Sequence, residues 1–343
     1  MRRSADGWTV RQFLNHGQEY LAAAPSLVRH ETPALDADVL LRHVLGLSRA
    51  ALYTHPERRL EAPEWQRYQA CLAGRAAGEP VAYLTGEREF MGLPFAVDRC
   101  VLIPRPETEL VVERALALID GPAGEASGDG VGAQSFTVLD VGTGSGAIAV
   151  SVAALAPQPG HLRIYATDRS WGALEVARGN ARRLLQRAQL APPTGRGAVP
   201  LRQAPLVASA AAQTADTEPG GGPTWRCPVR FVQCSLVSGL RGEFDLVLAN
   251  LPYIPAGEID TLPVPVRDYE PVAALDGGPD GLDLYRELLG DLPGKLRSGA
   301  TLLLECDPRQ IPALSALARA AFPGCRIETL PDLAGRERVL QVS

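Results

Sequence analysis

From residue 136 onward, short apolar runs alternate with stretches of helical period, and this alternation constrains the fold more than any other feature of the chain. "FTVLDV", "HLRIYATD", "VRFVQCS", "FDLVLAN" and "ATLLLEC" read as strands. "GAIAVSVAALA", "WGALEVARGNARRLLQRA", 281–297 and 309–321 read as helices between and after them. Strands this apolar need cover on both faces, so the pattern predicts a doubly wound, Rossmann-like α/β sheet. The closing "CRIETLPDLAGRERVLQV" reads as a hairpin-like pair of strands.

The N-terminal part has a different period. Trp8, Val10, Phe13 and Leu14 fit one helical face, and Leu35, Val39, Leu40 and Val44 fit another, with Asp36 and Asp38 early in that pattern, where a helix dipole favours acids. Trp65, Tyr68, Gln69 and Leu72 continue the theme until Gly78 and Pro80 break it. Residues 1–80 are therefore expected to form a small bundle of four or five helices. Residues 81–103 read as β structure, a hairpin linker turning at Met-Gly-Leu-Pro. Residues 104–343 follow as the α/β domain. Pro104 and Pro106 forbid helix before them, Glu107 and Glu109 suit a first helical turn, and Leu110 to Ile119 supply its apolar face. "DGPAGEASGDGVGAQS" reads as a flexible loop, and the Pro-, Gly- and Ala-rich stretch 190–227, which has no period, as a disordered surface insertion.

Charge narrows the partners. The formal net charge is -5, with Lys295 the single lysine and no Lys/Arg-rich run, so a direct nucleic-acid partner is not expected. Six cysteines without a CxxC pair and five dispersed histidines suggest neither a zinc site nor a disulfide scaffold. No apolar run reaches the roughly 18 residues of a membrane span, and "MRRSADGWTVRQFL" lacks the apolar core of a signal peptide. A reduced, cytoplasmic protein is expected.

Two strand ends carry polar chemistry. In "VLDVGTGSGAIAV", Asp140 ends a strand, and Gly142, Gly144 and Gly146 lead into a helix, where glycine allows tight turning and close approach to a ligand. A plain structural turn would use glycines too. Asp168 ends the next strand, placed to accept both ribose hydroxyls of a nucleoside cofactor. NAD and S-adenosylmethionine (AdoMet) both satisfy that arrangement; GxGxG rather than GxGxxG leans toward AdoMet, which has no pyrophosphate to cradle. The second strand end is Asn250-Leu251-Pro252-Tyr253. An Asn side-chain carbonyl with a neighbouring backbone carbonyl can accept both N–H bonds of a substrate amide or amine and aim its lone pair at a methyl donor. Pro252 stiffens that backbone and Tyr253 can stack on a planar group, although a Pro-containing loop after a strand needs no function.

"GEREFMGLPFAVDRCVLIPRPETELVVE", "LDVGTGSGAIA", "NLPYIP" and "DYEPVAALDGGPDGLDLYR" resemble, in order and spacing, the release factor glutamine methyltransferase family, over most of residues 79–343. The resemblance implies a class I AdoMet-dependent methyltransferase sheet. It also implies methylation of the side-chain amide nitrogen of glutamine in the GGQ motif of class 1 peptide chain release factors, which the N-terminal helical domain helps to dock. Carried over by position, Gly142, Thr143, Gly144, Ser145 and Gly146, following Asp140, would line the methionine portion of AdoMet, and Asp168 the ribose. Asn250 and the carbonyl of Leu251 would grip the glutamine amide, and Arg105, Glu107 and Thr108 match a loop near the site. Arg105 reads equally as a surface salt bridge, and Tyr269 and Glu270 as loop packing.

Three departures stand out. Leu251 replaces the second residue of the usual Asn-Pro-Pro-Tyr. Ser235 and Leu236 stand where the family commonly has Asp and then an aromatic or apolar residue beside the adenine, and "ECDP" at 305–308 replaces a more Gly-rich stretch. The spelling Asn-Leu-Pro-Tyr by itself resembles the rRNA adenine dimethyltransferases, which bind a flipped base there. A non-catalytic AdoMet-binding protein is a further alternative. An NAD-dependent oxidoreductase lacks a second catalytic constellation here. An active, monomeric enzyme without a metal is expected.

Overall fold

The computed structural model describes residues 7–24, 32–121, 135–157, 161–190 and 227–343. The expected disordered insertion at 190–227 and the glycine-rich loop before Phe136 fall almost entirely outside them. Among the described residues two compact units form: one up to Gly86 together with Pro263–Tyr269, the other from Glu87 onward without that segment.

The first unit holds α1 (Val10–Ala22), α2 (Pro33–Leu45), α3 (Arg49–Thr54), α4 (Ala62–Ala76) and α5 (Val81–Thr85). Its core joins Val10, Phe13, Leu40, Leu41, Leu52, Tyr68 and Leu72. Gly17 is required there, because a Cβ would lie 2.1 Å from the Tyr68 hydroxyl, which donates to the Ala37 carbonyl. The buried face of α2 differs from the apolar pattern: Leu35 is exposed, whereas Asp36 and Asp38 are buried. Arg75 at 2.7 Å from Asp36 and Arg42 at 2.8 Å from Asp38 make that burial tolerable, since a buried carboxylate needs a paired donor. Residues 81–85, expected as strand, are helical and end on Gly86 in the left-handed conformation.

The second unit opens with a hairpin, β1 (Glu87–Phe90) and β2 (Leu93–Ala96). Its turn is Met91-Gly92, both at positive φ, a two-residue turn whose twist matches the strands. Pro94 therefore lies in β2 rather than in the turn, and residues 97–103 leave the sheet. A 3-10 turn, Pro106–Thr108, then leads into α6 (Glu109–Ile119).

The main sheet comprises β3 (Phe136–Val141), β4 (Leu162–Asp168), β5 (Val229–Gln233), β6 (Phe244–Ala249), β7 (Leu296–Glu305), β8 (Ile327–Pro331) and β9 (Glu337–Val342). Their spatial order is β5-β4-β3-β6-β7-β9-β8. The first five are parallel, and β9 is antiparallel to both β7 and β8. The helices are α7 (Ala147–Leu155), α8 (Trp171–Leu190), α9 (Asp283–Asp291) and α10 (Ile311–Ala321). The helix expected over 281–297 stops at Asp291, and Leu296 already belongs to β7.

The pleat sorts the strand residues between two cores. Val138, Leu246, Leu248 and Leu303 pack with the hairpin, α6, α7 and α8. Leu139, Val141, Val247, Ala249, Leu302 and Leu304 pack with Tyr285 and Leu288 of α9 and Leu314 of α10. The chain runs outward from β3 through β4 to β5, then returns to lay β6 on the other side of β3. The crevice beyond the carboxyl ends of β3 and β6 is thus a topological switch point, where open α/β sheets take their ligands.

Candidate active site

Both polar strand ends flank that crevice. The loop after β3 holds Gly142, Gly144 and Gly146 at φ 72, 54 and 80, a region that side-chain-bearing residues rarely adopt. A Cβ on Gly142 would stand 2.9 Å from Leu251 Cδ2, and one on Gly146 would stand 3.1 Å from Ala177 Cβ. A Cβ on Gly144 would meet nothing within 4 Å, so its backbone faces open space. The loop is braced from below: Thr143 donates to Asp140 Oδ2 at 2.6 Å, and the Thr143 N–H to the Thr167 carbonyl at 2.8 Å.

Asp140 is fully buried and its Oδ1 has no hydrogen-bond partner among the described residues. Burial pushes its carboxyl up to about 7, against the Thr143 and Ala149 hydrogen bonds that lower it. Asp168 accepts Gly144 N–H on Oδ2 at 2.9 Å and Ser170 N–H on Oδ1 at 2.8 Å. Each oxygen keeps lone-pair capacity for a further donor, so the carboxylate is held ready to receive two hydroxyls. Open space over Gly144, an orphaned buried carboxylate oxygen and an oriented strand-end acid together fit a nucleoside bearing an ammonium group.

Ser235 is exposed just past β5, and Leu236 is buried beside it at φ 47. A left-handed leucine costs about 1–2 kcal/mol, so the fold holds this turn against local preference.

At the end of β6, strand parity sends neighbouring residues to opposite faces. Asn250 continues the face of Leu246 and Leu248, on the α6 side, where its Nδ2 donates to Thr108 Oγ1 at 2.9 Å. Leu251 continues the other face and packs in the core with Tyr285. Its N–H donates to the Tyr285 hydroxyl at 3.2 Å, and that hydroxyl donates to the Glu305 carbonyl. Asn250 Oδ1 and the Leu251 carbonyl accept no hydrogen bond among the described residues. Tyr253 is half-buried; its phenol pKa is raised, first by burial and then by the charge of Glu305.

The Pro252–Tyr253 backbone is clamped from outside by the "LDGGPDG" loop. Ile254 N–H reaches the Leu275 carbonyl at 3.0 Å, and Gly277 N–H reaches the Ile254 carbonyl at 2.9 Å. A Cβ on Gly277 would stand 2.6 Å from the Pro252 carbonyl, and one on Gly281 2.1 Å from that of Tyr253. Gln310 closes the clamp, donating to the Tyr253 and Asp280 carbonyls at 2.8 and 2.9 Å.

Arg105 does not point at a free surface. It pairs with the buried Glu270 at 2.7 Å, and Glu270 also accepts Ile103 N–H at 3.2 Å, so the salt-bridge reading describes what the side chain does. Burial raises the Glu270 carboxyl and Arg105 opposes that rise. Glu107 is half-buried, with Arg336 3.9 Å away.

The PrmC N-terminal domain matches residues 12–86. The release factor glutamine methyltransferase of Moorella thermoacetica is 39% identical over 331 residues, covering 96% of each chain. That of Bradyrhizobium diazoefficiens is 36% identical, covering 96% of this chain and 94% of its own. The chain belongs to the release factor glutamine methyltransferase family. A solved ribosomal protein L11 methylase from Lactobacillus delbrueckii subsp. bulgaricus matches with TM-score 0.40 at 17% identity over 72% of this chain and 83% of that one, too loose a likeness to carry function.

Within this family member, sequence reasoning passed over three groups that build the site. Asn180 of α8 is buried and fully used: it accepts from Ala96 N–H at 2.8 Å and donates to the Ala96 and Ser145 carbonyls, both at 2.9 Å. It ties the hairpin to the glycine loop. Its only signal was an amide inside an otherwise Ala/Arg-rich helix. Gly277 and Gly281 lie in the "DYEPVAALDGGPDGLDLYR" stretch, which gave no sign that they back Pro252 and Tyr253. Glu305 was legible as the end of an apolar strand and the first residue of the "ECDP" departure, but not as a neighbour of Asn250.

Proposed function

We propose that this family member transfers the methyl group of AdoMet to the side-chain amide nitrogen of the glutamine in the GGQ motif of class 1 release factors. The observation that carries this reading is the Asn250–Leu251 corner. The Asn250 NH2 group is committed to Thr108, which leaves Oδ1 and the Leu251 carbonyl as paired acceptors for the two N–H bonds of a primary amide. When bound, AdoMet supplies an electrophilic methyl group. The residues that fit it are Gly142 to Gly146 and Asp140 for the methionine portion and Asp168 for the ribose; Ser235 and Leu236 would lie beside the base.

An amide nitrogen is a poor nucleophile because its lone pair is delocalised into the carbonyl. Two fixed acceptors hold the nitrogen with that lone pair aimed across the switch-point crevice, and they stabilise the positive charge that grows on it. The methyl group that AdoMet would supply would go to this nitrogen, and the amide would give up one proton to solvent. Tyr253 offers a face for the glutamine's planar amide. Residues 1–80 are assigned to docking the release factor, and Arg105 with Glu270 to holding the loop that carries Thr108. No helix among the described residues is long and apolar enough to cross a membrane. A cytoplasmic monomer that does not bind nucleic acid directly completes the reading.

Labelled AdoMet incubated with a purified release factor, its GGQ-to-GGA version and bulk rRNA tests the proposal. Label on the GGQ protein alone is expected; label on rRNA but not on the release factor would refute it. Asn250→Ala should lose turnover and still bind AdoMet, because the side chain grips the acceptor amide.

A further inference from the structure

The register of the sheet brings Glu305 beside Asn250. Ala249 pairs with Leu304, so the residues that follow leave adjacent strands together, and Glu305 shares the face of Leu303, on which α6 also packs. Glu305 is 1% exposed, the Thr108 side chain beside it favours its ionised form, and its Oε2 has no hydrogen-bond partner among the described residues. Thr108 is itself buried and stands between Glu305 and Asn250.

A threonine hydroxyl has one proton to give. An ionised carboxylate can only accept, so it claims that proton and leaves Thr108 Oγ1 as an acceptor. Oγ1 can then be approached by the NH2 end of Asn250 and not by its carbonyl oxygen. Resting on the amide-gripping reading above, we propose that Thr108 and Glu305 are positioning residues. The Glu305 carboxylate sets the direction of a buried hydrogen-bond chain, Asn250 to Thr108 to Glu305, which fixes the rotation of the Asn250 amide and turns Oδ1 toward the substrate nitrogen.

An Asn amide can present either end to a pocket, and only one end accepts from substrate N–H bonds. The chain therefore acts on the orientation of the group that touches substrate and not on substrate itself. The groups facing Glu305 are Arg105 and Glu107 from the turn before α6, Tyr253 from the loop after β6, Tyr285 from α9, Arg338 from β9, and its neighbour Cys306. Burial pushes Glu305 up to about 7, with the Thr108 hydroxyl and Arg338 opposing. Below that pH a protonated Glu305 can donate to Thr108, and the direction of the chain is no longer enforced.

The test uses the full-length protein with Thr108→Val, Thr108→Ser and Glu305→Gln. Thr108→Val should lower kcat for release factor methylation about tenfold or more, with the AdoMet Kd within about twofold of wild type. Thr108→Ser should return most of that loss. At saturating substrates, wild-type kcat should rise with pH through about 7, and Glu305→Gln should be slower and flat. The Asn250 side-chain amide resonances, identified by their loss in Asn250→Ala, should be exchange-protected in wild type and Thr108→Ser but not in Thr108→Val. Equal kcat or equal protection in wild type and Thr108→Val overturns the proposal. So does a Thr108→Ser as slow as Thr108→Val, or an unchanged pH rise in Glu305→Gln. Because protection is read without an acceptor, failure of this chain is separable from failure of the proposed reaction, which would show as no label transfer by wild type.

Discussion

Leu251 in place of proline gives this chain a buried N–H that a proline would not have, and Tyr285 is the residue that satisfies it. The phenol is fully buried, so no water can take over either of its two bonds. Tyr285→Phe removes both at once, orphaning the Leu251 N–H and one bond to the Glu305 carbonyl. An unsatisfied buried backbone group costs about 1–3 kcal/mol, and the carbonyl keeps a second lone pair for other donors, so a total of about 2–4 kcal/mol is expected. Leu251→Pro deletes the N–H itself. In that background Tyr285→Phe should cost about 1–2 kcal/mol less, the share that belonged to the N–H. Urea unfolding of the four proteins, with midpoints and m-values compared, measures this coupling. An additive cycle, with Tyr285→Phe equally costly beside leucine and beside proline, would refute the argument that Tyr285 compensates for the missing ring.

Two glycines should separate stability from ligand binding. Gly281→Ala places a Cβ against the Tyr253 carbonyl at φ 79 and should destabilise by about 2–4 kcal/mol in urea unfolding. Gly144→Ala meets no atom, so only its φ of 54 is penalised, by about 1 kcal/mol, and its larger effect should be a weaker AdoMet Kd by calorimetry. Stability should also report on Glu305 as pH changes. Its folded pKa of about 7 lies above the ordinary glutamate value of 4.5, so the native state holds the extra proton across that window. Its contribution is therefore full below about pH 4.5 and is lost as pH rises toward about 7. Relative to wild type, Glu305→Gln should gain stability steadily over that range in urea titrations; a constant difference would mean Glu305 ionises normally.

Much of the fold was legible because burial on both faces leaves its mark on each strand separately. Phe136–Val141 and Phe244–Ala249 are mostly apolar, and Gly142 and Asn250 follow them at the strand ends. Boundaries decided by local competition were less legible. Val81–Thr85 has β-branched and aromatic residues yet forms a helical turn capped by Gly86, and the apolar run past Asp291 gives way to Gly294 and β7. Leu35 shows the limit of periodicity, since two acids paired with arginines took the buried side of α2.

The sequence by itself determined which chemical groups stand at strand ends: the glycines of 142–146, the acids at 140 and 168, and the Asn250 amide. These are properties of a few consecutive residues, and local backbone and side-chain chemistry suffices to read them. Only the tertiary structure decided which groups meet. Laying β6 beside β3 rather than beside β5 opens the crevice between the glycine loop and Asn250. The β6–β7 register, with the shared pleat, sets Glu305 next to Asn250 and brings in Thr108, which lies far from both in sequence. Strand order and register are fixed by the packing of whole faces, and no single segment carries that information.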